Sequence, residues 1–500
     1  MIPPYAFRTR GPLWALFALI VYTPLPLASN RPWALALLGL LTGALLLWTI
    51  WRPSEHMAVR VWQSAKTPLI LLGLWMALLV VQLIPMPGAW LAALDQHEIN
   101  TLASQGEGGV SIDAYSTRLY LAKACILTVV FWLVLVLVDS RRRMEWLAKV
   151  IVFSGLLQAF IGVVLMATGT NFQLFFVEIS QPRAHGTFVS PNNFAGYLEL
   201  TLAVGIGLMI AKLDGIPVAG WRQRLHGWLA LLISEKALLR LSLIIMVVGL
   251  VASRSRMGNA AFFASLLIVG FFTIVFAKHV TQRIHDRQEK NTLRATIVFI
   301  ASLIVLDVVI VGGVVGVEKV VQRLESTNLQ TQSALVQMQE MPVKNALVSG
   351  SVRPVEVRRY EQSVEERSEV AVPSLQIVRD FALLGTGGGT FYLAFPPYNP
   401  PDVRGYYEHT HNDYVEFASE VGLLGLLLLG LMVVHSVWRS IVLLVHSHDQ
   451  LARGMAFASM MGVSSLLIHA AVDFNFQIPA NAMLFMILLC FPYLQTASKR

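Results

Sequence analysis

The stretch "EHTHNDYVEFASEVGLLGLLLLG", residues 408–430, passes from two histidines, an asparagine and an aspartate directly into a run of almost pure hydrocarbon. Such a run is typical of a helix that crosses a membrane. Ionisable groups beside a bilayer are costly unless a function requires them. The stretch therefore predicts a membrane protein whose functional groups lie where a spanning helix begins.

The composition of the whole chain agrees with a membrane protein. Of its 500 residues, 55% are hydrophobic and only 14% are charged, whereas soluble domains carry about 25% charged residues. The mean hydropathy is +0.62. Cys125 and Cys490 both lie in apolar runs, so no disulfide framework is expected. The first apolar run precedes several others, which favours a retained anchor over a cleaved signal peptide.

Apolar runs of about 20 residues predict an all-α polytopic membrane protein with about twelve transmembrane helices. The runs lie near residues 12–28, 32–50, 68–86, 118–138, 146–168, 192–212, 237–253, 258–277, 295–317, 421–440, 454–471 and 479–496. Basic residues concentrate in alternate loops, such as 141–143 and 278–294. This positive-inside bias places both termini in the cytoplasm and explains the net charge of +8 without nucleic acid as a partner.

One long polar insertion divides the chain. We expect transmembrane helices 1–9 in residues 1–317, a large, partly helical periplasmic loop domain in residues 318–419, and helices 10–12 in residues 420–500. Long loops with structure of their own are usually functional. Helical periodicity appears in residues 318–340 and 360–381 of this loop, and "GTGGGTF", residues 385–391, predicts a flexible bend rather than a phosphate-binding loop. Residues 220–236 predict a helix on the membrane surface.

The topology predicts that polar residues from five segments converge at the outer membrane face. They are Arg183, His185, Asn192 and Asn193; Arg254 and Arg256; Arg367 and Arg379; His409, His411, Asn412 and Asp413; and His469, Asp473, Asn475 and Gln477. Several arginines with few acidic partners suit a multiply charged anion, because the guanidinium group binds phosphate bidentately. A lipid-linked pyrophosphate is the anion expected at this depth, and histidine is the usual base at neutral pH.

Plainer interpretations exist for single members of this set. An arginine at a helix end often extends to lipid headgroups, and Arg379 beside Asp380 predicts a local ion pair. His409, His411 and Asp413 share one face of an extended segment, so they are an alternative set of zinc ligands. Only the set as a whole favours an anion site with a base.

The segment after the second histidine carries a resemblance to a known family. "HNDYVEFASEVGLLG" matches the pattern H-[NSQ]-x9-G-x-x-G with His411, Asn412, Gly422 and Gly425. The chain resembles the superfamily of O-antigen ligases and O-antigen polymerases, which are bacterial membrane glycosyltransferases, over roughly residues 70–490. Other similar blocks are "RAHGTFVSPNNFAGYLEL", "SRSRMGN", "LLGTGGGTF" and "VDFNFQIPANAMLF".

The resemblance implies an inverting transfer, without metal or cofactor, from an undecaprenyl-pyrophosphate-linked glycan at the periplasmic face of the bacterial inner membrane. His411 would be the general base, with His409 assisting or orienting it. The donor pyrophosphate would be held by Arg183, Arg256, Arg254 and Arg367. Ala371 stands where the ligase pattern has leucine after Arg367, whereas Arg379 with Leu383 fits that pattern. Supporting positions would be Asn412, Asn193, Asp413, Gly387 and Asp473.

The acceptor stays open among three classes. Lipid A-core is favoured, and the alternatives are another lipid-linked repeat unit, which would make the protein a polymerase, or a protein hydroxyl. A transporter of anionic lipid-linked glycans would favour charges at mid-membrane and related halves of the chain, and neither pattern is visible. A scaffold subunit without catalytic activity is a third possible function, after the transferase and the transporter. It would be favoured if substitution of His411 and Arg256 had no effect.

Overall fold

Helices dominate the described part of the chain. The structure is a computed structural model that describes residues 9–51, 55–86, 109–169, 172–174, 177–179, 183–213, 235–281, 364–400 and 407–494. Its helices are α1 (Arg10–Tyr22), α2 (Pro32–Ile50), α3 (Glu55–Leu83), α4 (Ala114–Leu137), α5 (Arg141–Thr168), α6 (Pro191–Ala211), α7 (Glu235–Ala252), α8 (Arg256–Thr281), α9 (Val364–Asp380), α10 (Phe391–Ala394), α11 (Asp413–His446), α12 (Gln450–Ala470) and α13 (Pro479–Cys490). A short antiparallel pair, β1 (Phe172–Leu174) with β2 (Val177–Ile179), lies between α5 and α6. Apart from this pair, the described elements are helical, as predicted.

Eight of these helices are long and apolar enough to cross a membrane. They are α2, α3 from Val59, α4, α5, α6, α8 as far as Thr273, α11 and α12. α1 and the segment Pro479–Tyr493 are apolar but shorter. α7 was predicted to span, but it carries Glu235, Lys236 and Arg240 and is not among the eight. The predicted span 295–317 lies outside the described residues, so the count of twelve stays a prediction.

The polar insertion is described in part. α9 lies within the predicted helix 360–381. The predicted helices 318–340 and 220–236 lie outside the described residues. The division into three domains stays a prediction, but its second boundary, between residues 419 and 420, falls inside α11. The histidine segment is therefore joined directly to a candidate span.

α6 lies at the centre of the helix bundle, because its apolar window is wholly buried in the protein. It crosses α12 closely: a Cβ added to Gly207 would collide with the backbone oxygen of Gly454. Small residues at such crossings let two helices approach within a membrane. α2, in contrast, buries only 22% of its apolar window, as expected of a helix that faces lipid. α6 is therefore the central element against which the other helices pack.

α11 is broken at Gly422, whose φ of +68° and ψ of 174° lie outside the helical region. The break frees two backbone carbonyls before it. That of Ser419 accepts a hydrogen bond from the N–H of Thr386 at 2.9 Å. That of Glu420 accepts one from the N–H of Gly387, also at 2.9 Å. Because backbone groups in a membrane protein must be paired internally, the break depends on the glycine-rich loop beside it.

Gln82, which is fully buried in α3, joins the two sides of this contact. Its Nε2 donates to the carbonyls of Leu384 at 2.6 Å and Glu420 at 2.9 Å. Its Oε1 accepts from the N–H of Gly388 at 3.1 Å. One side chain therefore holds α3, α11 and the loop together.

Residues 385–391, predicted to form a flexible bend, form a tightly packed turn. Gly387 has a φ of +109°, and a Cβ on it would lie 2.5 Å from the Ser111 hydroxyl oxygen. A Cβ on Gly388 would lie 2.5 Å from the ring of Tyr120. The prediction of a hinge was wrong, because these glycines permit close packing against α4 and the residues before it.

We expect Gly422→Ala to destabilise the protein. A side chain at this φ costs about 1–3 kcal/mol, and its Cβ would also collide with the carbonyl of Leu383. Gly430→Ala in the same helix is the matched control, since a Cβ there has nothing within 4 Å. The midpoint of thermal unfolding, measured in detergent, should be clearly lower for Gly422→Ala than for the wild type and unchanged for Gly430→Ala. Equal midpoints for the two variants would contradict the role given to the break.

Candidate functional site

The predicted catalytic histidines lie in the turn that begins α11. Asn412 caps the helix, because its side chain accepts hydrogen bonds from the N–H groups of Tyr414 at 3.0 Å and Val415 at 3.2 Å. The hydroxyl of Thr410 donates to the carbonyl of Asn412 at 2.6 Å. His411, between them, has a φ of +55°, in the left-handed region. Such strain in a non-glycine residue clusters at functional sites, and here the capped turn maintains it.

His409 is held by a buried carboxylate. Its Nδ1 lies 2.7 Å from Oε1 of Glu416, a side chain that is 1% exposed. The other oxygen of Glu416 accepts from the backbone N–H of Thr410 at 3.0 Å. Burial lowers the pKa of His409, but the charge and the hydrogen bond of Glu416 outweigh it, so the pKa is raised. The pair leaves the second ring nitrogen of His409 for other contacts.

Phe474, in the turn between α12 and α13, packs against both histidines. Its ring is stacked on His409 at 4.5 Å between centroids and 24° between planes. It meets His411 edge-on at 5.0 Å and 69°. Asp413 links the same segments, because its Oδ2 accepts from the N–H of Phe476 at 3.0 Å. Asp413 is 1% exposed, so it orients the turn from inside the protein.

Three buried asparagines fasten this turn to α6. The side-chain amide of Asn481 donates to the carbonyl of Asn193 at 2.9 Å and to Oδ1 of Asn475 at 3.0 Å. The amide of Asn193 reaches the same Oδ1 at 3.4 Å. Gly196 gives them room, since a Cβ on it would collide with Asn475. Asn193 therefore supports the site through the turn.

The structure brings Arg183 and the Arg254–Arg256 segment together. The N–H of Ala184 donates to the carbonyl of Ala252 at 3.0 Å, which joins the two loops directly. Arg254 has a φ of +51°, and Arg256 is the first residue of α8. Both side chains are exposed, and neither forms an ion pair within the described residues. A helix N-terminus flanked by exposed arginines is suited to a phosphate group.

Two arginines of α9 are candidates for the third predicted contact with the donor. α9 contains Arg367, whose side chain lies outside the described residues, and Arg379, which is exposed near the end of the helix. The expected ion pair of Arg379 with Asp380 is wrong. The Asp380 carboxylate instead accepts from the hydroxyl of Tyr398 at 2.8 Å. The choice between the two arginines stays a prediction.

His185, in the loop that carries Arg183, is 5% exposed, and its Nδ1 lies 3.1 Å from the carbonyl of Phe188. Burial lowers its pKa. His185 therefore stabilises the conformation of this loop from its buried side.

Sequence reasoning missed three charged residues. Glu416 holds His409, as described above. Lys123 in α4 donates to the backbone oxygen of Gln477 at 2.9 Å and to its Oε1 at 3.1 Å. Glu199 is fully buried in α6. Glu199 is the one charged residue of α6, and a lone charge inside an apolar helix is a functional signal in membrane proteins.

The zinc alternative is not supported by the geometry. Among the described residues, no group of three or more His, Cys, Asp and Glu side chains is arranged to hold a metal ion. Nδ1 of His409 is directed at Glu416, and Asp413 at the backbone of Phe476.

We expect Glu416→Gln to lower the pKa of His409, since the burial that remains favours the neutral ring. In the wild type the pKa of folded His409 lies above its unfolded value. The stabilisation by this pair is therefore complete below about pH 6.5 and is lost as the pH rises through the folded pKa. Histidine NMR and thermal unfolding against pH would measure both effects. Glu408→Gln, at an exposed neighbouring position, is the control, and an unchanged titration of His409 in Glu416→Gln would contradict the assignment.

Comparison with known families matches the part of the chain that carries these elements. Residues 241–430 match the family model described as O-antigen ligase. This range contains Arg254 and Arg256, the histidine segment and both glycines of the Gly422/Gly425 motif. No curated protein matches the chain. The resemblance identified from the sequence is confirmed for residues 241–430, which are similar to the O-antigen ligase family.

Proposed function

We propose that the protein transfers a glycan from undecaprenyl pyrophosphate to an acceptor hydroxyl, with lipid A-core as the favoured acceptor. The transfer takes place at the periplasmic face of the bacterial inner membrane, and both termini lie in the cytoplasm. The observation that supports this most directly is that exposed arginines and a histidine pair lie at the same end of the helix bundle. The N-terminal part of α6 joins them, through Asn193 to the turn of Phe474.

The arginines serve the donor. Arg183, Arg254 and Arg256 bind the pyrophosphate, and one of Arg367 and Arg379 completes the contact. When the bond between the anomeric carbon and the pyrophosphate oxygen breaks, negative charge accumulates on the leaving group. Fixed cations and a helix N-terminus stabilise that charge. Pyrophosphate leaves as an anion and requires no proton.

The histidines serve the acceptor. A ring nitrogen of His411 takes the proton of the acceptor hydroxyl, and the oxygen attacks the anomeric carbon on the face opposite the pyrophosphate. One bond forms and one breaks at this carbon, so its configuration inverts. His409, held by Glu416, keeps the neighbouring ring in place through Phe474. The base lies beside the membrane because the donor lipid is embedded there, while the acceptor sugar is hydrated.

We expect His411→Ala to reduce transfer by about 10²–10⁴-fold, the usual contribution of a positioned base. Arg256→Ala should reduce it at least as much, because stabilisation of the leaving anion is commonly the larger effect. The assay uses purified protein in nanodiscs with undecaprenyl-pyrophosphate glycan as donor. Lipid A-core or a second donor molecule is the acceptor, with and without EDTA. Arg31→Ala, at another exposed position, is the matched control.

The products separate the acceptor classes. One capped lipid A product, insensitive to EDTA, supports the ligase. A ladder of lengthening lipid-linked chains identifies a polymerase, and transfer that needs added zinc restores the metal alternative. Undiminished transfer by His411→Ala would overturn the role of this residue.

A further inference from the structure

A carboxylate is buried inside the central helix of the bundle. Glu199, eight residues after the start of α6, has no exposed surface. Its Oε2 accepts from the Ser465 hydroxyl at 2.6 Å, and its Oε1 lies 2.8 Å from Nδ1 of His469. Ser465 and His469 are also fully buried. Three polar side chains therefore meet where α6 crosses α12.

The contact continues from His469 to the catalytic turn. Its Nε2 lies 3.8 Å from Oδ2 of Asp473, which is 1% exposed. The other oxygen of Asp473 accepts from the backbone N–H of Phe474 at 2.9 Å. The ring of Phe474 packs on His409 and His411. The imidazole of His469 thus lies between two carboxylates, and the second carboxylate orients the residue beneath the histidine pair.

Glu199 also lies beside the arginine group. A Cβ added to Gly258 would lie 3.0 Å from Oε1 of Glu199 and 2.7 Å from Cβ of Ala195, so the first turn of α8 rests directly on this part of α6. Gly258 is two residues after Arg256, and its N–H donates to the Ser255 hydroxyl at 3.2 Å. The buried carboxylate therefore contacts the arginine segment at one end and, through His469, the histidine turn at the other.

Stability alone does not account for this arrangement. Replacing a buried ion pair with apolar side chains of similar volume is often neutral or stabilising. Ionisable side chains within a membrane bundle are costly and mark functional positions. The two segments that this cluster connects are the two that must stand at a fixed separation around one anomeric carbon.

We propose that Glu199, His469 and Asp473 form a buried relay of positioning residues, which sets the distance between the pyrophosphate-binding arginines and the histidine pair. This proposal rests on the proposed glycan transfer and adds residues that position its site. The relay residues do not touch substrate. They fix the positions of α6, α12, the Phe474 turn and the start of α8 relative to one another. The base then faces the anomeric carbon while the arginines hold the leaving group.

Two substitutions test the relay while keeping most of its packing. Glu199→Gln removes the charge and retains the hydrogen-bonding shape. His469→Asn places an amide nitrogen near the position of Nδ1, which keeps the bond to Glu199 and loses the contact with Asp473. Ser459→Ala is the matched control, since Ser459 is fully buried in the same helix as His469 and its hydroxyl makes no hydrogen bond among the described residues.

In the transfer assay, we expect kcat to fall by about 10- to 100-fold in both relay variants, as expected of a small displacement of catalytic groups. The KM for the donor and the thermal midpoint should stay close to those of Ser459→Ala. A variant whose folded yield and midpoint fall while kcat per folded molecule is unchanged would overturn the proposal, because the cluster would then be structural only. Wild-type kcat in both variants would overturn it as well.

A second measurement does not depend on transfer. Modification of His409 and His411 by diethyl pyrocarbonate, followed by mass spectrometry of their peptide, reports how firmly the pair is held. We expect faster modification in both relay variants than in the wild type and Ser459→Ala. If the wild type transfers no glycan, the proposed function fails while this readout still judges the relay. Equal modification rates in all four proteins would overturn the relay even where transfer is found.

Discussion

The helical backbone of α11 is broken, and the backbone carbonyl groups that lose their helical partners at the break must be hydrogen-bonded elsewhere in the protein. Gly422 interrupts the helix, and the carbonyls released before it are taken up by the loop 385–391. Gln82 then ties both to α3. Since no water in the bilayer can replace these partners, the loop, the break and α3 form one unit. His411 lies 11 residues before Gly422, at the start of the helical segment that ends in this break, so its position depends on the same contacts.

Charge is distributed unevenly across the candidate site, and this distribution would give the two proposed substrates different surroundings. Arg254 and Arg256 are exposed at the start of α8, where an anion can reach them. The two carboxylates that hold histidines are buried: Glu416 against His409, and Glu199 against His469. An exposed carboxylate among the arginines would repel a pyrophosphate and neutralise its cations. Burying the acids behind histidines lets them orient the site without weakening its attraction for an anion.

Much of the fold follows from sequence, and the site follows in part. α4, α6 and α12 each begin within about four residues of the predicted runs because the length of an apolar run is a local property. The positions of the arginines and histidines were also predicted, as ends of such runs. What the sequence did not indicate is pairing between distant segments. Glu199 and His469 are 270 positions apart, and nothing in either helix alone tells which neighbour it faces. For the same reason the sequence does not indicate the close packing of the glycine loop, since Tyr120, against which it packs, lies far away along the chain.

The histidine turn shows how these separate constraints combine. Asn412 caps α11 through local contacts that any isolated helix could make. The left-handed His411 is harder to maintain, and strain of this kind persists only where the surroundings over-determine it. Here they do so from three directions: the cap, the hydroxyl of Thr410, and the ring of Phe474 held from α6 and α12. In the proposed transfer, the base has to meet a lipid-bound donor and an aqueous acceptor, which requires a turn of fixed position. The buried polar contacts in the bundle are the means by which a surface turn gains the rigidity of the helices beneath it.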